Sequence, residues 1–372
     1  MRLNVDRLTA LAVLAPSVIL LAIFVYGFIG QTFYIATTNW QGLGMGDISS
    51  IGLRNFEQLF IGSGLPFFRF REALVNTVVF TVLFIAACLS LGLLFAILLD
   101  QRIRAEALFR TIFLFPMALS FVVTGTVWRW LFSPRSGLNT LPALFGGAPL
   151  PPDQWAWFTD RRQLFTFTWA DASRLVLIAI IVGLLAFAVF SATRRRPVQA
   201  LIAGMIGLSL IGWVFLGGVF EALGNVVRPA HGVNLAMFSI VIAAAWQMSG
   251  YTMAMYLAAL RGIPEELREA ARVDGCNELQ VYRYVVLPLL RPITFSAMII
   301  LGHISLKIFD LIYVMAGGDN LRVDVPGIHM YLTAFRGNNF ALGAAIAIIM
   351  LLLVACVIVP YLVNVFRTEV RR

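Results

Sequence analysis

The residues best placed to do chemistry occupy 261–291, a polar stretch inside an otherwise apolar chain: Glu269-Ala270-Ala271, then Gly275, then Val285 and Leu287-Pro288. Ile263-Pro264-Glu265-Glu266 reads as a helix start, with Pro in the first turn and two acids against the positive end of the helix dipole; Gly275 reads as its stop. Between them Leu267, Ala270 and Ala271 recur at i, i+3 and i+4, and Arg268 and Arg272 form their own i, i+4 row. A short helix with a stripe of small residues can slot into a groove on another protein, because alanines let two backbones approach closely. The same composition fits a loop helix lying on a membrane surface, and spacing alone leaves both readings open. A second short helix is predicted from Glu278 to about Val286, with the chain turning back at Leu287-Pro288.

Bond-making chemistry finds little support. His231, His303 and His329 are isolated and lack H-E-x-x-H spacing, and Ser249 lies between Gln247 and Tyr251 where a nucleophile elbow needs glycines. The one lysine, Lys307, follows Leu306, so there is no G-x-x-x-x-G-K-[ST] cradle for a nucleotide. Cys88, Cys276 and Cys356 are odd in number and far apart, which gives neither a disulfide framework nor a metal site.

The elements that must position the polar stretch follow from composition. With 60% hydrophobic and 13% charged residues and a mean hydropathy of +0.87, a chain of 372 residues lacks the polar surface of a soluble protein and belongs in a bilayer. The net charge of +9 is carried almost wholly by arginine and reports loops held on the cytoplasmic side, not nucleic-acid binding. A helix needs about twenty apolar residues to cross about 30 Å of hydrocarbon. Such stretches fall near 9–36, 74–99, 109–132, 173–193, 198–220, 236–260, 293–315 and 340–366, which predicts an all-α polytopic membrane protein with about eight transmembrane helices. The first is too long for a cleaved signal peptide and lacks a small-residue cleavage site.

Both termini are expected inside, because arginine is then about threefold denser in the inner loops. Arg194-Arg195-Arg196, in a very short connection, is the firmest anchor. The outer segments 37–72 and 133–172 show no helical apolar stripe. Pro149, Pro151 and Pro152 lead to Trp155 and Trp157, aromatics suited to the headgroup level. Gly204 and Gly207 stand one residue too close for G-x-x-x-G and give a weak helix-contact signal at best.

The run Glu269-Ala270-Ala271-x3-Gly275-x9-Val285-x-Leu287-Pro288 resembles the EAA signature of ABC importer permeases, with Val where Ile is commonest. Asn76-Thr77, Phe109-Arg110, Phe115-Pro116, Asp274-Gly275 and Phe309-Asp310-Leu311-Ile312-Tyr313 before Gly317-Gly318 extend the likeness to the carbohydrate-uptake permeases, the group with the maltose and glycerol-3-phosphate importers. It covers about 10–135 and 236–366. The chain accordingly divides into 1–135 with three spans, 136–235 as an inserted outer loop with two extra spans, and 236–372 as the core with its coupling loop.

The resemblance implies a type I ABC importer permease fold and a non-enzymatic role. The expected partners are a second permease subunit, two copies of a cytoplasmic ATPase that bind ATP and Mg, a periplasmic or lipoprotein solute-binding protein, a sugar and membrane lipid. This chain itself binds no cofactor and no metal. By the same resemblance Glu269, Ala270, Ala271 and Gly275 couple to the ATPase, flanked by Arg272 and Asp274. The substrate path falls on Gln247 and Tyr251 in one span, and on Leu301, Ile304, Ser305 and Ile308 on one face of another. A mid-span glutamine needs partners and an aromatic ring can stack on a sugar; packing between helices explains both equally. Lys307 and Asp310, three apart, are expected to pair with each other. Phe335-Arg336-x3-Phe340-Ala341-x-Gly343-Ala344-Ala345 looks most like permeases for alpha-glucosides and related oligosaccharides, with glycerol-3-phosphate or another sugar derivative as the alternative. An ion-driven carrier would need ionisable residues in mid-span, and the spans are almost bare of them.

Overall fold

A computed structural model describes residues 5–44, 48–62, 64–101, 104–152, 155–158, 163–168, 172–193, 197–216 and 230–369. Helix α1 (Val5–Leu21), a π-helical stretch (Ala22–Gly27) and α2 (Phe28–Ala36) run on as one apolar segment. From Val13 onward its side chains are largely exposed, as they would be toward lipid or a partner. Next come α3 (Arg54–Ile61) and α4 (Leu65–Asp100). At 36 residues α4 is about 54 Å long, well beyond a hydrocarbon core. The expected third span is not one straight helix. Here α5 (Glu106–Leu114) passes through a 3-10 turn at Phe115–Ala118 and α6 (Phe121–Leu131) leaves at 101°. Pro116 cannot donate within a helix, and the Ser120 hydroxyl accepts from Val123 N–H to start a new one.

Short α7 (Leu141–Leu144) follows, then strand β1 (Gln163–Thr168), α8 (Ala172–Thr193), α9 (Pro197–Leu216) and strand β2 (Ala230–Asn234). The strands, absent from the all-α expectation, pair antiparallel with Thr166 opposite Gly232, which brings together the two sides of the segment carrying α8 and α9. The two helices pack on each other; at Gly207 an added Cβ would stand 3.1 Å from Leu185, so this glycine does serve a helix contact. Arg194-Arg195-Arg196 lie outside the described residues.

The core is built by α10 (Leu235–Arg261) crossing α4. A Cβ on Gly92 would come within 2.1 Å of Thr252 Oγ1, whose hydroxyl donates to the Cys88 carbonyl at 2.7 Å. On its other flank Gly250 leaves no room for a Cβ beside the Phe113 carbonyl, 2.1 Å away. The polar stretch follows as α11 (Glu265–Val273) and α12 (Glu278–Val281). A π-helical stretch (Tyr282–Val286) then continues without a break into α13 (Leu287–Leu306), with Pro288 in that helix's first turn.

The expected span 293–315 thus begins earlier and stops sooner. Lys307 caps α13, Phe309 leaves helical geometry at φ −134°, and Asp310 opens α14 (Asp310–Ala316). No ion pair between Lys307 and Asp310 occurs among the described residues; the chain breaks between them, contrary to the expected pairing. Helices α15 (Pro326–Tyr331) and α16 (Phe340–Glu369) are the last described helices.

Among the described residues six helical segments are long and apolar enough to cross a membrane, or seven with the bent α5–α6 pair counted as one span; within α8 the apolar stretch Ile180–Thr193 is shorter than a full span, so the expected eight are not all met. Trp157 is not at an open interface. It is buried against Phe132 and its Nε1 donates to Asn139 Oδ1 at 3.0 Å. The segment assumed to lack a stripe contains α3, which turns Asn55 and Leu59 inward.

Candidate functional site: the coupling loop and the adjoining spans

Backbone chemistry shapes the loop first. Pro264 precedes α11, and Glu265 and Glu266 occupy its first turn. At the far end Gly275 takes φ +87°, a left-handed conformation that costs a side chain about 1–2 kcal/mol. Gly275 N–H donates to the Arg272 carbonyl at 3.0 Å and Cys276 N–H to that of Ala271 at 3.0 Å, the paired bonds of a Schellman end. Two residues on, Asn277 Oδ1 accepts from Gln280 N–H while Gln280 Oε1 accepts from Asn277 N–H, a capping box that starts α12.

The inward side of the loop is an apolar cluster with two anchoring arginines. Ala271, Val281, Val286 and Leu290 pack with Ala96 and Leu99 of α4 and with Met253, Tyr256, Leu257 and Leu260 of α10. Arg268 Nη1 donates to Asp100 Oδ2 at 2.9 Å and Nη2 to the Leu260 carbonyl at 3.0 Å; both partner side chains are nearly buried. Arg272 bridges the two short helices, 2.7 Å from Glu278 and 3.0 Å from Glu265. Its hydrogen bonds to Glu278, then to Glu265, hold its guanidinium even more firmly protonated than usual. These groups line a polar cavity of about 400 Å³. Arg261, at the end of α10, reaches Glu106 at the start of α5, 2.5 Å apart and open to solvent.

The outward side carries Glu269, Ala270, Asp274 and Gly275, all exposed. It also carries Leu267, Val273 and Leu279, with Val273 87% and Leu279 78% exposed. Apolar side chains grouped on so polar a loop suit a covering partner. Of the expected small-residue stripe, Ala271 faces inward: a nine-residue helix packed on one side buries position 271 with 268 and leaves 269, 270 and 273 free. Arg272 is likewise occupied within the chain. Asp100 and the Leu260 carbonyl escaped sequence reasoning because they come from spans 168 and 8 residues from Arg268, with no local pattern linking them.

The other predicted residues scatter. Gln247 is buried and its Nε2 donates to the Leu119 carbonyl at 2.7 Å, satisfying the backbone freed by the α5–α6 bend, while its Oε1 has no hydrogen-bond partner among the described residues. Tyr251 is half-buried against the α4–α10 core. Leu301 and Ser305 are fully buried; Ser305 accepts from Thr81 Oγ1 at 2.9 Å and donates to the Gly302 carbonyl at 2.8 Å. Ile304 is half-buried, and Ile308 lies past the end of α13, so the four do not share one helix face as expected. Beside the bend, Phe95, Phe113, Pro116, Trp128 and Trp246 line an apolar cavity of about 600 Å³ that sequence reasoning did not anticipate. Its walls offer few partners for hydroxyl groups.

Comparison with known proteins agrees with this architecture. Residues 179–372 match the family of binding-protein-dependent transport system inner membrane components. A probable ABC transporter permease of Pyrococcus horikoshii is 34% identical over all of both chains. The xylose/arabinose import permease of Haloferax volcanii is 30% identical over 92% of this chain and 84% of its own. A bacterial alginate ABC transporter, crystallised with a pentasaccharide-bound periplasmic protein, superimposes with a TM-score of 0.62 at 16% identity, over 95% of this chain and 92% of the other. The chain belongs to the inner-membrane components of binding-protein-dependent transport systems, the multi-pass permeases of ABC transporters.

Proposed function

We propose that the chain is one half of the pore of an ABC importer for a sugar, with a second permease as the other half. Two copies of a soluble ATPase hold ATP and Mg and dock on α11. A solute-binding protein delivers the ligand from outside. Both termini and the 261–291 loop face the cytoplasm in this reading. The chain itself contributes transport and no catalysis.

The observation that carries the reading is the two-sided loop. Leu267, Ala270, Val273 and Leu279 stand open for a partner, while the opposite side is packed onto the ends of α4 and α10. Glu269 makes no ion pair among the described residues, which leaves its charge for that partner.

The substrate class rests on relatives whose names refer to pentoses and alginate, and on the alpha-glucoside-like run near Phe335. A di- or oligosaccharide is the favoured cargo, with glycerol-3-phosphate or another sugar derivative as the competing one. Thermal-shift screening of the cognate binding protein against pentoses, alpha-glucosides, uronate oligosaccharides and glycerol-3-phosphate tests this. A shift with a neutral oligosaccharide is expected; a shift with glycerol-3-phosphate alone would replace it.

A further inference from the structure

The Arg268–Asp100 pair does more than hold the loop. We infer that Arg268 is a positioning residue that makes α11, the end of α4 and the end of α10 move as one body when a partner pulls on the loop. The inference rests on the proposed docking of an ATPase on α11.

Three observations support it. First, one guanidinium joins three segments, donating through Nη1 to Asp100 at 2.9 Å and through Nη2 to the Leu260 carbonyl at 3.0 Å. The planar fork reaches the two acceptors from two separate nitrogens in a fixed geometry, whereas a lysine has a single nitrogen to serve both. Second, the pair is shielded, with 13% and 10% of the two side chains exposed, whereas Arg272 and Glu278 are 40% and 65% exposed. Water and salt screen the exposed bridges, so they transmit little force, but a desolvated pair that loses one member leaves an unpaired charge inside. Third, both acceptors sit at the ends of the two helices that cross tightly at Gly92 and Thr252, so a displacement of α11 reaches the middle of the molecule through rigid elements.

The complete transporter in proteoliposomes provides the test. Asp100→Asn, Arg268→Gln, Arg268→Lys and the exchange Asp100→Arg with Arg268→Asp are purified through the ATPase subunit, so that only assembled complexes are scored. Sugar moved per ATP hydrolysed is then measured. The single neutral variants are expected to hydrolyse ATP within about twofold of wild type but to move roughly tenfold less sugar per ATP, within the usual range of coupling between sites. Arg268→Lys should fall between, and the exchange should recover part of the loss. Unchanged transport per ATP in Asp100→Asn would overturn the inference, and so would an Asp100→Asn chain that cannot be recovered through the ATPase while the exchange variant can. If the wild-type chain fails to bind an ATPase, the functional reading itself fails, independently of the variants.

Discussion

At the scale of single residues, the loop separates side chains that hold the fold from those that stand exposed. Glu269 is exposed and makes no ion pair among the described residues, so Glu269→Lys should change stability by no more than about 0.5 kcal/mol while abolishing uptake. Gly275 has open space around its missing Cβ but a left-handed backbone, so the objection to a side chain is conformational. Gly275→Asp is expected to leave the subunit inserted and to weaken ATPase docking, and Gly275→Asn should be milder than Gly275→Val, because asparagine visits that conformation; pull-down of the ATPase by membranes carrying each variant ranks the three.

Away from the loop, two buried groups in the segment between α14 and α16 titrate in opposite senses. Burial pushes Asp324 up from 3.8 to about 6, offset in part by Arg69, to which it is ion-paired, and by Val325 N–H, with Glu72 adding repulsion. Its contribution to stability is full below about pH 3.8 and is lost, about 3 kcal/mol of it, as pH rises through 6. Burial, with Arg69 nearby, pulls His329 down from 6.5 to about 4, so its contribution is full above about pH 6.5 and fades as pH falls toward 4. The two contributions oppose each other. Between pH 4 and 6.5, thermal unfolding in detergent should shift toward rising with pH in Asp324→Asn relative to wild type, and toward falling with pH in His329→Phe; parallel slopes in the two variants would contradict the assignment.

At the scale of elements, the long apolar runs were legible and the breaks were not. Hydropathy needs only composition over about twenty residues, and α4, α10 and α16 fall where that rule puts them. At the 101° bend Gln247 satisfies a carbonyl 128 residues away, and after α13 the backbone leaves helical geometry at Phe309. Pro116 and Ser120 are the local marks of the first; the second has none. The loop helices were legible because Pro264 and Gly275 are local signals, but which face turns inward was decided by Asp100 and Leu99, far away in sequence. Close packing of α4 on α10 gives the element-scale prediction: Gly92→Val should lower stability by about 1–3 kcal/mol through overpacking, while Gly30→Ala, with open space around it, should be neutral in the same thermal assay. A reporter fused after Arg196 should behave as cytoplasmic if the α8–α9 pair is an inserted hairpin; an external reporter would remove that pair from the count of spans.

At the scale of the whole molecule, the fold is a set of lipid-facing helices around one tight crossing, with a braced polar loop at the end where α4 and α10 finish. The resemblance carried by the loop motif and the match of the family over 179–372 converge on a transport subunit. Little in the buried spans encodes the cargo: Leu301 and Ser305 are committed to packing and Gln247 to a backbone carbonyl. The most direct measurement is solute accumulation in sealed vesicles holding the purified chain with and without its ATPase, second permease and solute-binding protein. The account predicts accumulation only with the full complement and ATP, and its disappearance with Glu269→Lys. Saturable uptake by this chain alone, with no nucleotide and no partner on α11, would contradict it.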